Sequence, residues 1–237
     1  MTARTRIDPG ATIPVREAHA MDLARLERWL GERLPGADRL TIQQFRGGQS
    51  NPTYLLNTAG GRYVLRRKPP GALLPSAHAV DREFRILNAL AGSDVPVPRA
   101  LVYCEDASVA GTPFYLMEYV EGRIFWDPAL AGLAPAERAT IYEEMNRVIA
   151  AIHAVDPDAA GLSDFGRREN YVARQIERWS KQYRASELEH IDSMEQLIDW
   201  LPRHVPPDEP ARITHGDFRI DNLIFDRQEL RILAVID

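Results

Sequence analysis

The chain has 237 residues, of which 45% are hydrophobic and 27% are charged, and its 34 acidic and 29 basic side chains give a net charge of −5. These values are typical of a folded globular protein and exclude collagen-like, coiled-coil and disordered chains. The slight acidity indicates no nucleic-acid partner. The length allows one large domain or two lobes. Because Cys104 is the only cysteine, an intrachain disulfide and a CxxC site are excluded, and a reducing compartment is favoured.

The sequence indicates neither a secretion signal nor a membrane partner. Residues 1–18 contain no apolar stretch of the length that a signal peptide needs, and no apolar run approaches the roughly 18 residues of a membrane span. We therefore expect a cytoplasmic protein. Pro9, Gly10 and Pro14 interrupt the opening before any periodic pattern begins, which predicts an N-terminal arm over residues 1–18.

Short strands dominate the pattern of residues 19–120. A helix is predicted first, because leucines recur at helical spacing from Leu23 to Leu34. Alternating β-prone residues then predict an antiparallel meander of three strands with glycine pairs between them. In chain order, we predict strands over 40–45, 53–57 and 62–67, a helix near 78–90, and strands over 99–104 and 114–120 joined by a turn.

Helices dominate the pattern of residues 121–237. One helix is predicted to start at Pro135, since proline is favoured at the first helical position. Further helices are predicted over about 170–184 and 188–201, and short apolar runs follow at 213–214, 223–225 and 232–236. The element order predicts an α+β protein with a strand-rich lobe over 19–120 and a helical lobe over 121–237.

One motif near the end of the sequence matches the catalytic loop of kinases. His215-Gly216-Asp217 is followed by Asn222, which reproduces the spacing H-x-D-x-x-x-x-N. In that loop the aspartate orients and deprotonates the attacking hydroxyl, and the asparagine binds magnesium. An ordinary polar turn is the alternative. It is disfavoured by a predicted strand-turn-strand that leads from Asn222 to Asp237, where kinases carry a second magnesium-binding acid, and both residues offer the oxygen ligands that magnesium prefers.

Two segments of the strand-rich lobe are candidates for binding a nucleotide. A glycine-containing turn carries Ser50 and Asn51, whose side chains could donate to phosphates, although a plain hairpin also explains the glycines. The predicted strand over 114–120 runs into an exposed connector. In kinases such a connector lends backbone groups to adenine, which would place Glu118 and Val120 beside the base; a simple strand end is the alternative.

A cation for the phosphates is expected on the third strand of the meander. Arg66 stands where kinases have their phosphate-binding lysine, and Lys68 shares its face by strand alternation. Arginine can also bind phosphate, so the choice between the two cations stays open. Glu83, on the following helix, is the predicted partner acid, and a solvated surface glutamate is the alternative.

With these motifs in order, the chain resembles the aminoglycoside phosphotransferase family of small-molecule kinases over about residues 40–237. The segments that carry the resemblance are Gly47 to Asn51, Tyr63 to Arg66 with Glu83, Met117 to Val120, and His215 to Asn222 with Asp237. The segment from Arg67 to His78, followed by Arg82 and Glu83, is most similar to the kinase-like domains fused to acyl-CoA dehydrogenases.

The resemblance implies a bilobal fold like that of protein kinases, with ATP and Mg2+ as cofactors and phosphorylation of a hydroxyl group on a small molecule. Asp217 would act as the base, and Arg219 would stabilise charge on the transferred group. A non-catalytic nucleotide-binding module is the alternative, because arginine replaces the lysine. A protein kinase is disfavoured, because Gly216 replaces the arginine that holds a phosphorylated activation loop.

Two further expectations concern the end of the chain and the acceptor. The family's fold continues past the second magnesium-binding acid, so we expect the native polypeptide to extend beyond Asp237. Basic side chains concentrate at Arg167, Arg168, Arg174, Arg178, Lys181 and Arg184. A solvated helix face is the simpler explanation, and an acidic hydroxylated metabolite as acceptor, in preference to an aminoglycoside, is the sharper one. The sequence predicts no oligomeric state.

Overall fold

A six-stranded antiparallel sheet is the largest element of the structure, a computed structural model that describes residues 12–46, 51–71, 79–207 and 210–237. Its strands are β1 (Thr12–Ile13), β2 (Thr41–Phe45), β3 (Thr53–Thr58), β4 (Gly61–Arg67), β5 (Ala100–Cys104) and β6 (Phe114–Glu118). They lie in the order β1-β2-β3-β4-β6-β5, with every neighbouring pair antiparallel. The predicted meander is confirmed as β2-β3-β4, and β1 lies at its edge.

Helices cover both faces of this sheet, because alternate residues of a strand point to opposite sides. The helices of this part are α1 (Leu23–Gly31), α2 (Val80–Leu90) and α3 (Ala107–Ala110). Leu65 and Leu116 pack in one apolar core with buried residues of α1 and α3. Val64 and Tyr115 pack in a second core with buried residues of α2. Residues that are adjacent in sequence within β4, and likewise within β6, therefore belong to different cores.

A second, smaller sheet follows the long helices of the chain. The remaining elements are α4 (Pro135–Ala154), α5 (Tyr171–Ser186), α6 (Asp192–Trp200), β7 (Leu223–Phe225) and β8 (Ile232–Val235). β7 and β8 pair with each other in antiparallel fashion. The backbone N–H of Ile232 donates to Oε1 of Glu144 at 3.0 Å, which ties this small sheet to α4. α4 begins at Pro135, as predicted.

The chain divides into two compact units, unit 1 over Met1–Val155 and Thr214–Asp237, and unit 2 over Asp156–Ile213. Unit 1 contains both sheets and α1 to α4, whereas unit 2 contains α5 and α6. The lobe boundary expected between residues 120 and 121 falls within unit 1 and stays a prediction. In the described part of the chain, no helix combines the length and apolar character needed to cross a membrane.

The α+β class predicted from the sequence is confirmed, with three local differences. Residues 12–13, within the predicted N-terminal arm, form β1 of the large sheet. The turn expected between β5 and β6 contains α3, in which the Asp106 side chain accepts the N–H of Ser108 at 2.8 Å and so caps the helix. A four-residue helix is too short to show a helical period in the sequence. Ile213 and Thr214, noted in the sequence as a short apolar run, have no regular structure.

Candidate active site

The start of the loop from His215 to Asn222 is shaped by a glycine and a histidine. Gly216 has a φ of +85°, a left-handed conformation that glycine adopts without strain. The backbone N–H of Asp217 donates to Nδ1 of His215 at 3.3 Å, which requires a ring with no proton on Nδ1. Burial lowers the pKa of the His215 imidazole and favours the same neutral form. These two residues therefore determine the backbone position of Asp217.

Asp217 and Asn222 lie together, as their spacing predicted. Nδ2 of Asn222 donates to the backbone oxygen of Asp217 at 3.0 Å and to its Oδ2 at 3.2 Å. A 3-10 turn over Ile220–Asn222 produces this approach. The side chain of Asp217 is 62% exposed, so its carboxylate is accessible to an acceptor. These hydrogen bonds from Nδ2 orient the amide, and its oxygen Oδ1 is the atom that can bind a cation.

Arg219 lies beside Asp217 but is paired with another acid. Its Nε donates to Oδ1 of Asp221 at 3.0 Å, and its Nη2 donates to Oδ2 of the same carboxylate. The Nε atom is 4.0 Å from Oδ1 of Asp217. Hydrogen bonds from Arg219 lower the pKa of Asp221. The sequence analysis did not single out Asp221, and stabilisation of a transferred group by Arg219 stays a prediction.

A largely buried ion-pair cluster joins β4, α2 and the residue that ends the described chain. Nε of Arg66 is 2.6 Å from Oε2 of Glu83, and its Nη2 is 3.5 Å from Oε1. The same Nη2 donates to Oδ1 of Asp237. Burial opposes the charged form of Arg66, but attraction to Glu83 and Asp237 outweighs it and raises the pKa of Arg66. The expected pair of Arg66 and Glu83 is present, and contact with phosphates stays a prediction.

Glu83 accepts hydrogen bonds from two further side chains. Nδ2 of Asn51 donates to Oε1 at 2.7 Å, and the hydroxyl of Tyr115 donates to Oε2 at 3.1 Å. Asn51 thus contacts the cluster from the expected glycine turn, while Ser50 lies outside the described residues. Tyr115 was missed by the sequence analysis, because it lies within an apolar strand. Tyr115 reaches the ion-pair cluster because the strand register places it directly opposite Arg66.

The remaining nucleotide-binding candidates lie at the ends of β4 and β6. The backbone N–H of Lys68, just after β4, donates to the Pro113 oxygen at 2.9 Å. Glu118 ends β6, and its Oε1 accepts the backbone N–H of Arg99 at 2.9 Å. Val120 is partly buried in the connector that follows. The structure gives these three residues positions in unit 1, and their contacts with a nucleotide stay predictions.

The connector after β6 runs closely against β7. Backbone hydrogen bonds of 2.8 Å join Arg123 and Phe225 in both directions. A Cβ on Gly122 would collide with the Ile224 side chain and the Phe225 carbonyl oxygen, so glycine allows this approach. Oε2 of Glu121 also lies 2.7 Å from Nη2 of Arg62. The connector is therefore tied to β7 by backbone hydrogen bonds and to β4 by this ion pair.

Asn222 and Asp237, the two predicted metal ligands, are brought close by the β7-β8 pairing. Leu223 pairs with Val235, and the N–H of Ile236 donates to the Asn222 oxygen at 2.9 Å. Among the residues that the structure describes, no group of three or more His, Cys, Asp or Glu side chains could hold a metal. One amide and one carboxylate oxygen fit Mg2+, which usually keeps waters and takes its other ligands from substrate phosphates.

The sequence of this chain matches a known enzyme family over most of its length. The profile of the phosphotransferase enzyme family matches residues 41–237. Acyl-CoA dehydrogenase family member 10 of Mus musculus is 50% identical over 228 residues, which cover 95% of this chain and 21% of the relative. Acyl-CoA dehydrogenase family member 11 of Rattus norvegicus is 45% identical over 232 residues, with coverages of 95% and 30%. The chain thus spans less than a third of these relatives.

Solved structures with the same fold include aminoglycoside phosphotransferases. A putative aminoglycoside phosphotransferase from Ralstonia eutropha JMP134 has 51% identity and a TM-score of 0.83, covering 92% of this chain and 64% of that one. The streptomycin–ATP ternary complex of APH(2")-IIa has 16% identity and a TM-score of 0.57, with coverages of 90% and 69%, and shows likeness of fold alone. The predicted kinase-like fold and the resemblance to the acyl-CoA dehydrogenase branch are confirmed, and the chain belongs to the phosphotransferase enzyme family.

Proposed function

We propose that this chain is an ATP-dependent phosphotransferase that phosphorylates a hydroxyl group of a small molecule. The observation that carries the proposal is the accessible Asp217 carboxylate, fixed by Asn222 at 3.2 Å in a loop whose following strands lead to Asp237. Asp237 in turn contacts Arg66, the cation on β4. Unit 1 therefore contains a base, oxygen ligands for a cation and a cation for phosphates.

Asp217 is the proposed general base. Its carboxylate accepts the proton of the acceptor hydroxyl and holds the hydroxyl oxygen in line with the phosphoryl group, while Asn222 keeps Oδ2 in place through Nδ2. Phosphoryl transfer depends mainly on such positioning and on stabilisation of charge. Arg219, whose side chain is 61% exposed, can exchange its pairing with Asp221 for a contact with the transferred group.

The donor nucleotide is proposed to be bound by β4 and by the connector after β6. Arg66 donates to the phosphates, Lys68 contributes a second cation, and backbone groups near Glu118 and Val120 contact adenine. Solved structures of the same fold hold ATP in one case and GDP in another, so ATP as the donor rests on the match of the sequence motifs to kinases. Asn222 Oδ1 and the Asp237 carboxylate would hold Mg2+, which neutralises charge on the phosphates when it is bound.

The basic residues of unit 2 bear on the chemical class of the acceptor. In unit 2, Arg168 makes a two-point ion pair of 2.7 Å with Asp158, and Arg184 lies 2.7 Å from Glu195. These acids neutralise two of the six basic residues from which an acidic acceptor was predicted, and the solvated-face interpretation explains both. An acidic hydroxylated metabolite remains the proposed acceptor on the likeness to acyl-CoA dehydrogenase relatives.

A non-catalytic nucleotide-binding module is the second candidate function. It is favoured by one contact, the donation from Arg66 to Oδ1 of Asp237, which engages one of the two carboxylate oxygens that could bind a magnesium ion. Binding of ATP cannot separate the two functions, because both require it. Turnover separates them.

The test is the substitution Asp217→Asn. We expect kcat to fall about 10²- to 10⁴-fold, the usual contribution of a general base, while ATP affinity changes little. ADP release would be followed with hydroxy acids, hydroxyacyl-CoAs and kanamycin-type acceptors, and ATP–Mg2+ affinity by calorimetry. Asp226→Asn is the matched control, because Asp226 caps the β7-β8 turn through Gln228 at 2.7 Å. Near-normal turnover by Asp217→Asn would refute the assignment, and turnover of kanamycin alone would refute the acidic acceptor.

A further inference from the structure

Tyr115 places a hydroxyl in the apolar interior between β6 and α2. The residue is 3% exposed and packs with Val64, Val80 and Leu87. A phenol in such a core needs a hydrogen-bond partner, and its hydroxyl donates to Oε2 of Glu83 at 3.1 Å. The ring would pack equally well as phenylalanine. The hydroxyl group is therefore the part of Tyr115 that requires an explanation.

The hydroxyl completes a set of donors around the Glu83 carboxylate. Oε2 receives Tyr115 and Nε of Arg66, and Oε1 receives Asn51 and Nη2 of Arg66. A carboxylate with donors on both oxygens has little freedom to rotate. Tyr115 approaches from β6 and Asn51 from the segment just before β3, so they fix Glu83 independently of Arg66.

The orientation of Glu83 determines the orientation of Arg66. The guanidinium is planar, and Nε and Nη2 face the carboxylate side-on, so rotation of Glu83 would rotate the whole plane. Nη1 makes no hydrogen bond to any residue within the described ranges. A lysine ammonium at this position would need no such alignment, because it is a compact point charge. An arginine does need it.

We propose that Tyr115 is a positioning residue for the phosphate donor, acting through Glu83 to aim Nη1 of Arg66 at the phosphates. The inference rests on the proposed function, because it requires a nucleotide to be bound. It adds a specific requirement for the hydroxyl on β6. The competing explanation is that Tyr115 only fills space against Phe84, whose ring centroid is 6.1 Å away.

The test is Tyr115→Phe, with Tyr103→Phe as the matched control. Tyr103 lies opposite Tyr115 on β5 and packs against the same Phe84 at 5.7 Å, but its hydroxyl does not bind Glu83. If the hydroxyl aligns Arg66, Tyr115→Phe weakens the hydrogen bond from Nη1 to a charged phosphate, and we expect the KM and Kd for ATP–Mg2+ to rise about tenfold. We expect kcat to change much less, and Tyr103→Phe to match the wild type in both constants.

The double variant Tyr115→Phe/Glu83→Leu separates positioning from packing, because leucine has no atom that accepts the Tyr115 hydroxyl. If Tyr115 acts through Glu83, adding Tyr115→Phe to Glu83→Leu changes the ATP Kd less than about twofold. A full additional tenfold loss, or a wild-type Kd in Tyr115→Phe alone, would overturn the inference. Thermal unfolding of each variant shows whether a loss of affinity only follows a loss of fold. A wild-type protein that binds no ATP would refute the proposed function itself, a result distinct from failure of the Tyr115 variant.

Discussion

Gly216 determines the path of the backbone immediately before Asp217. Its φ of +85° lies where residues with a Cβ are strained, although a Cβ at this position would meet no atom within 4 Å. Substitution at position 216 is therefore restricted by the backbone conformation and not by a collision with neighbouring residues. The same glycine stands where protein kinases have an arginine, so position 216 offers no side chain for a phosphorylated activation loop.

The substitution Gly216→Ala tests this backbone requirement. We expect the free energy of unfolding to fall by about 1–2 kcal/mol, the cost of a left-handed conformation for a residue with a Cβ, and kcat to fall because Asp217 moves. Urea denaturation measures the first effect and ADP release the second. Gly132→Ala is the control, because Gly132 has no left-handed φ and an added Cβ there also meets no atom within 4 Å. Equal effects of the two substitutions would contradict the explanation.

At the scale of elements, β4 carries two adjacent buried arginines with different partners. Arg66 faces α2 and meets the carboxylates of Glu83 and Asp237. Arg67 faces the other core, where it donates to the backbone oxygens of Ala110 at 2.7 Å and His19 at 3.0 Å. Because these partners are neutral carbonyls, we assign Arg67 a structural role. It joins β4 to α3 and to the segment that contains His19. The acids around Arg66 make it the candidate for binding phosphates.

The assignment of Arg66 over Lys68 can be tested by two substitutions. Arg66→Lys keeps the charge but loses the planar side-on contact with Glu83, so we expect the Kd for ATP–Mg2+ to rise at least about tenfold. Lys68→Met should change the Kd by less than about threefold, since Lys68 lies beyond the end of β4. Calorimetric titration measures both. A larger loss in Lys68→Met than in Arg66→Lys would reverse the assignment.

Local sequence patterns predicted most elements, but not the contacts that give them their roles. Alternation predicted β2 to β4, and helical spacing predicted α1, α2 and α4, because each period depends only on which residues are buried. The partners of Tyr115 and Arg67 depend on strand register and on helices distant in sequence. Asp221 was missed for a different reason, since a charged residue two positions after Arg219 has no distinctive pattern.

At the scale of the whole molecule, the described candidates for catalysis and for nucleotide and metal binding all come from unit 1, although unit 2 interrupts its sequence. Asn51, Arg66 and Glu83 precede unit 2 in the chain, and Asp217 and Asp237 follow it. The contact of Arg66 with Asp237 bridges these two stretches. The order of motifs predicted that both stretches contribute to one site. The pairing of β7 with β8 brings Asp237 back beside Asn222.

This arrangement predicts where ATP–Mg2+ will stabilise the protein. A ligand at 100 times its Kd stabilises the structure that binds it by about 2.7 kcal/mol. Hydrogen exchange slows by up to about 100-fold for amides that become exposed only when that structure unfolds. We expect protection in the segment that leads into β3, in β4, in α2 and in the loop over 215–222, because these segments carry Asn51, Arg66, Glu83 and Asp217. Amides of α5 and α6 should keep their rates. Hydrogen exchange followed by mass spectrometry measures this, with Mg2+ alone as the control; protection concentrated in Asp156–Ile213 would place nucleotide binding elsewhere.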